Sequence, residues 1–473
     1  MTPRKLFVYI PVFCLVFFSL LVLQSGCSRS SSTPASPEKA ASQMLAWNLK
    51  TTVEAYNKVG TKNAVWNDSA RKCLIAFSHS RAGDSPNEPW NVVVSTNAAA
   101  AVEAGCNDPM ITYLYIRFAL PQTNSKVEFA TRLYQTANAI NASSYPVVRK
   151  LYATMRAIEQ YYYAYDTRTN ITARDESFGL LTTLLEQVDQ TLSDKTIPSR
   201  EASEIANQTL DLAGRTDFFN KTMFYDRIEQ ALMKNFSGDY LPWYLKGSHE
   251  IEVGWNARGR GYADTVTKEG WAQLATNLVA ARGDLEHAWK LNPKEPKTAI
   301  QMMMVVLGQG SDRKEMELWF NRVMELDTNN YTACWNKEEY LQAKWYGTDE
   351  EAVAFGRECV RSTRWGGQVP LTLVFAHSEI NSRLSGAAKT EYWKQPEVWG
   401  DIKSAYDRFF ELNPTETYVY NDYALHAYQA EQWAVLNELI PKFTTTNYNM
   451  FGGRGQFDAM IVLAKAHKNG DLQ

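Results

Sequence analysis

The feature that most constrains this chain is a recurrent way of ending a helix. Three segments, A-W-K-L-N-P at 288–293, V-M-E-L-D-T at 323–328 and F-F-E-L-N-P at 409–414, close an amphipathic run with Leu, then Asn or Asp, then Pro or Thr. Proline lacks the amide donor and its ring clashes with the preceding turn, so such a closure stops one helix and sets the angle to the next. Upstream, apolar residues recur at helical spacing: Leu133, Ala137 and Ile140; Leu151, Met155 and Ile158; Leu180, Leu184, Leu185 and Val188; Ile205, Leu210 and Leu212. Breaks fall at Pro86–Pro89, Asn107-Asp108-Pro109, Pro121, Ser143–Pro146, Pro198 and Gly238–Pro242. Strand signals are scarce. The stretch N-V-V-V-S at 91–95 passes for a strand, yet it runs directly into A-A-A-A-V-E-A, a strong helix former. Elements of about 12–18 residues joined by short polar turns predict an all-α protein built from antiparallel helix pairs.

The closures carry a period. The first two lie 35 residues apart, and Ala281, Leu285, Ala288 and Pro293 fall at the offsets at which the tetratricopeptide repeat places Ala, an aromatic, Ala and Pro. Met316, Phe320, Val323 and Thr328 fit with bulkier side chains, and Ile402, Tyr406, Phe409 and Pro414 fit more loosely. The interval from Thr328 to Pro414, 86 residues, is too long for one unit. It reads as a pair, Asn330–Lys344 with Asp349–Ser362, and then an insertion near 365–395. The expected fold is therefore a tetratricopeptide-like α-α superhelix, with an N-terminal helical domain over 46–240 and a repeat domain over 241–473. The segments E-A-G-C-N-D-P at 103–109, G-S-H-E-I-E-V-G-W-N-A-R-G-R-G-Y at 247–262, E-G-W at 269–271, E-M-E-L-W-F-N-R at 315–322 and A-F-G-R-E-C at 354–359 resemble a bacterial family of tetratricopeptide-like proteins of unknown function. The resemblance covers most of 46–380; it implies a helical-repeat fold and no established activity, and it contributes no catalytic residues.

The N-terminus implies an address. Arg4 and Lys5 precede an apolar run from Leu6 to Leu23, and Ser25-Gly26-Cys27 resembles the bacterial lipoprotein signal, in which the cysteine is lipidated and becomes the mature N-terminus. Gln24 departs from the usual Leu three places before the cysteine. The run is short for a membrane span and is interrupted by Pro11. Residues 1–26 are thus expected to be a signal peptide, Cys27 a lipidation site and 27–45, rich in Ser, Pro and Ala, a flexible tether. Ser28 after the cysteine, by likeness to enterobacterial sorting, points to the outer membrane. The expected location is the cell envelope, lipid-anchored.

Chemical motifs are mostly absent. His249-Glu250 begins an H-E-x-x-H pattern, but position 253 is Val, so the second zinc imidazole is missing. Neither G-x-S-x-G nor G-x-x-x-x-G-K-[ST] occurs, and R-G-R-G at 258–261 reads as a tight turn between helices. No metal, cofactor or catalytic constellation is expected. A net charge of −3 and a pI near 6.2 argue against nucleic acid as the partner. The four cysteines outside the signal region, Cys73, Cys106, Cys334 and Cys359, contain no C-x-x-C. Cys334 and Cys359 stand nearly equidistant from the turn at Tyr346–Thr348, at one level of a helix pair, so a disulfide and a pair of small buried thiols are both open readings.

What stands out is the aromatic load: 14 Trp, 25 Tyr and 20 Phe. Trp255, Arg258, Arg260, Tyr262 and Trp271 crowd one segment, and aromatic faces beside guanidinium groups suit a binding surface as well as helix packing. The expected function is a membrane-tethered, non-enzymatic repeat protein that holds a protein or peptide partner in a concave groove. The alternative is a glycan-binding outer-membrane lipoprotein that stacks sugars on exposed tryptophans.

Overall fold

A computed structural model describes residues 37–83, 89–120, 125–165, 170–215, 221–261 and 263–469. The proposed signal, Cys27 and Tyr262 lie outside the described residues. Those described are all-helical, with no strand, and successive helices pack against one another as adjacent pairs along the chain.

Local chemistry accounts for where helices start. Side chains of Ser125, Asn170, Thr267, Asp312, Asn330 and Thr348 each accept a hydrogen bond from a backbone amide in the first turn of the helix they precede. Each thereby satisfies a donor that the first turn leaves without a partner. Asp108, in the E-A-G-C-N-D-P segment, does more. Its fully buried carboxylate accepts from the amides of Met110 and Ile111 at the head of the Pro109–Phe118 helix, from the Thr61 amide at 2.9 Å and from the Tyr145 hydroxyl at 3.0 Å. One side chain thus ties three separate parts of the chain together.

The three closures share one backbone geometry. Asn292, Asp327 and Asn413 end their helices at φ/ψ of −143/86°, −144/94° and −132/65°. The first two then accept, through their side chains, the amide two residues on. The repeat offsets are core positions: Ala281, Leu285, Ala288, Met316, Phe320, Val323, Ile402, Tyr406 and Phe409 are all buried. Glycine sets the closest approach between neighbours. A Cβ on Gly247 would stand 2.6 Å from Leu285 Cγ and 3.1 Å from the Ala281 carbonyl, so the Tyr240–Arg258 helix lies almost backbone to backbone on Lys268–Leu291.

Apolar packing runs as a chain of cores in sequence order. One extends from Trp47 to Leu245, a second from Ile251 to Ala376 and a third from Leu373 to Ala464. The first two meet within the Tyr240–Arg258 helix, where Tyr244 packs against both. Stacking each unit on its neighbours, with no single centre, is the mark of a repeat architecture.

Three segments take definite form in the structure, and one of them, the tether, differs from expectation. The stretch at 91–95 belongs to the Trp90–Glu103 helix, because Val94, Ala98 and Ala101 at helical spacing bury together against Asn67–Ala82. The segment expected as a tether is helical from Pro37 onward (Pro37–Leu49), and Met44 is fully buried. That helix continues through a π-turn at Lys50–Glu54, and Asn48 and Thr51 accept from the fully buried guanidinium of Arg149. Apolar Met44 and Trp47, with these polar anchors, supply the packing that composition alone obscures. The segment near 365–395 carries helices Thr372–Ser382 and Gly386–Tyr392, and Thr372–Ser382 packs on Asp349–Arg361.

Candidate functional site

Trp255 and Arg258 lie three residues apart, on one face at the C-terminal end of the Tyr240–Arg258 helix. Gly259, at φ +79°, stops that helix. The chain then returns, Thr267 caps Lys268–Leu291, and Trp271 in the first turn comes back over Arg258. A third indole, Trp345, arrives from the turn between Tyr331–Leu341 and Asp349–Arg361. The guanidinium carbon of Arg258 sits 5.6 Å from the ring centre of Trp255, 5.0 Å from Trp271 and 5.7 Å from Trp345, and the Trp255 and Trp345 rings meet edge to face.

This is an aromatic cage already filled by the protein's own cation. Arg258 Nη1 also donates to the carbonyls of Gly259 and Gly261, both at 3.0 Å. The Gly-rich turn therefore faces a cation with its carbonyls. The surroundings are braced. Trp345 Nε1 donates to Glu339 at 2.8 Å, Glu339 pairs with Lys344, and the Tyr346 hydroxyl donates to the Leu307 carbonyl at 3.0 Å. Trp255 packs over Gly308, where a Cβ would stand 3.1 Å from the indole. With the cation fixed inside, the surface offered outward is the Trp271 indole, 37% exposed, with Tyr346, 45% exposed, on the adjoining turn. A rigid indole beside a guanidinium buries area at little entropic cost and adds planar donors.

Of the residues singled out in the sequence, the structure brings Trp255, Arg258 and Trp271 together. Arg260 is exposed on the turn, outside the stack. Cys334 and Cys359 are buried thiols on facing helices. His249 stacks flat on Tyr225 with ring centres 3.6 Å apart, and burial lowers its pKa.

A second cluster repeats the first. Arg322 lies over Trp319, 4.2 Å from the ring centre, and Trp289, 5.1 Å, and the two indoles meet edge to face. Trp255-x-x-Arg258 and Trp319-x-x-Arg322 have the same spacing, a signal present in the sequence and passed over there. In each cluster the further indole comes from the Lys268–Leu291 helix: Trp271 near its start, Trp289 near its end. They are 18 residues apart, which is five helical turns, so both project from one face at a separation of about 27 Å.

Fold and surface define a class: an all-helical protein of stacked helix pairs carrying paired tryptophan–arginine clusters along one helix. No protein-family model matches the chain, and no curated protein matches it significantly. Among the described residues no helix is long and apolar enough to cross a membrane.

Proposed function

We propose that this chain is a non-enzymatic, tetratricopeptide-like binding protein, held at the bacterial cell envelope by lipid on Cys27, that docks an elongated protein or peptide partner. One observation supports the docking reading above others. Two aromatic–guanidinium clusters each take an indole, the exposed Trp271 and the half-buried Trp289, from one face of the Lys268–Leu291 helix about 27 Å apart, a spacing that suits an extended ligand gripped at two points. Anchors of this kind carry most of an interface's energy, and truncating one costs about 2 kcal/mol or more. Capture of partners from detergent-solubilised envelopes tests the reading. Trp271→Ala should cut recovery of a partner at least tenfold while leaving the helical circular dichroism unchanged. Undiminished recovery in both Trp271→Ala and Trp289→Ala would remove the clusters from the function.

The exposed Trp271 indole beside Arg258 also favours a second reading, a polysaccharide ligand stacked on that ring. Tryptophan emission titrated against a polysaccharide panel separates the two, because only glycan stacking shifts emission without any protein partner. Blocking lipoprotein signal cleavage tests the address: an unchanged mature mass would remove Cys27 as the anchor.

A further inference from the structure

The Pro37–Leu49 helix runs into the π-turn at Lys50–Glu54 and on into Ala55–Val59, and beside that turn lies a cavity of about 250 Å³. A π-turn locally widens a helix and often marks a functional site. Trp47, Ala55, Pro146 and Val148 give the cavity apolar walls. Its polar groups are mostly donors. The Trp47 indole is 6% exposed, and its N–H, which can only donate, has no hydrogen-bond partner. Lys50 and Lys58 line the same cavity, and neither forms an ion pair among the described residues. The Lys50 ammonium lies 5.7 Å from the Trp47 ring centre.

A third cation stands behind the wall. Thr51, also on the cavity, accepts from Arg149 Nε at 3.1 Å, and that guanidinium is fully buried with its Nη1 lacking a hydrogen-bond partner. The field of Glu201 reaches Arg149, but that carboxylate is bridged to Arg81 at 3.6 Å. Asp194 is the acid on the wall, and it already accepts from the Thr196 amide and hydroxyl, both at 2.8 Å. An apolar hollow with a few convergent polar groups suits a small molecule, and unmatched donors and cations select a negative head. A cavity of about 150 Å³ holds a benzene ring, so this one has room for a larger aromatic body.

We propose that this cavity binds a small aromatic carboxylate, its ring against Pro146 and Val148 and its carboxylate toward Lys50, Lys58 and the Trp47 N–H. Calorimetric titration of the full chain with naphthoate tests this, with naphthamide and naphthylmethylammonium as neutral and cationic counterparts. It needs neither a protein partner nor a membrane, so its outcome is separate from the docking reading. For a ligand of this size the expected dissociation constant is about 1 mM or tighter. The amide should bind about tenfold more weakly, and the ammonium should give no measurable heat. Joint substitution Lys50→Gln and Lys58→Gln should weaken naphthoate about tenfold with helical circular dichroism unchanged, because both side chains are exposed. Ser144→Trp, at an exposed position on the cavity, should block acid and amide alike. No saturable heat by about 10 mM naphthoate, equal binding of acid and amide, or binding unchanged by the paired lysine substitutions would overturn the proposal.

Discussion

Glu338 is a carboxyl group in a place that does not suit its charge. It lies on the Tyr331–Leu341 helix with no exposed surface. Gln342 Nε2 donates to one of its oxygens at 2.8 Å, while its other oxygen and Gln342 Oε1 have no hydrogen-bond partner. Burial, outweighing the Gln342 hydrogen bond, lifts its pKa from the ordinary 4.5 to about 8. The folded chain therefore holds a proton here that the unfolded chain has released over the range from about 4.5 to 8. Stability from this group is complete below the lower value, falls as pH rises through the window and levels off above it. At about 1.4 kcal/mol per pH unit the ceiling is roughly 5 kcal/mol, and relaxation around the charged form brings the expected loss to about 2–4 kcal/mol. Glu250, raised to about 7 by burial and by the Asp284 carboxylate, contributes a similar slope that ends lower. Between pH 7 and 8 the Glu250 contribution is closing while that of Glu338 is still open. Glu338→Gln replaces the acid with a neutral isostere whose amide reaches the Gln342 oxygen. Urea denaturation followed by circular dichroism from pH 5 to 9 should show the variant more stable than wild type by about 2–4 kcal/mol at pH 8.5. The gain should shrink toward pH 5. A variant with the wild-type slope between pH 7 and 8, or one weakened equally at every pH, would refute the reasoning.

Arg258→Ala empties the cage. With about 0.5–1 kcal/mol for each indole contact, the chain should lose about 1–3 kcal/mol of stability in thermal unfolding, and tryptophan emission should shift as Trp271 and Trp345 loosen. Asp108→Asn sets an amide donor against the Thr61 and helix-head amides that now share a carboxylate. Denaturant unfolding should show a loss of about 2–4 kcal/mol, while Asp194→Asn, on an exposed turn, should change stability by less than about 1 kcal/mol.

Much of this architecture is legible in the sequence because the determinants are local. The Leu-Asn-Pro closures announce a cap conformation that Asn292, Asp327 and Asn413 all adopt, and the offsets counted back from them fall on buried residues. What escapes a sequence reading is non-local. Three valines at 92–94 look like a strand until Asn67–Ala82 offers Val94 a helical partner. Glu38 and Lys39 sit in a Ser-, Pro- and Ala-rich stretch, and nothing there shows that Met44 a turn later is buried. The binding candidates divide the same way. Trp255 and Arg258 are neighbours by helical spacing, whereas Trp345 joins them from nearly ninety residues away through a turn whose direction only the stacking determines. Arg260, adjacent in sequence, is carried out of the cluster by the glycines on either side of it.

The helix shared between the first two cores, where Tyr244 faces both ways, bears on how such a chain tolerates evolutionary tinkering. Units added or trimmed at a free end disturb one seam only. A cut near residue 240 would strip both halves of a common wall, so neither piece would be expected to survive as an independent module, and lengthening by duplication is the easier route to a longer surface.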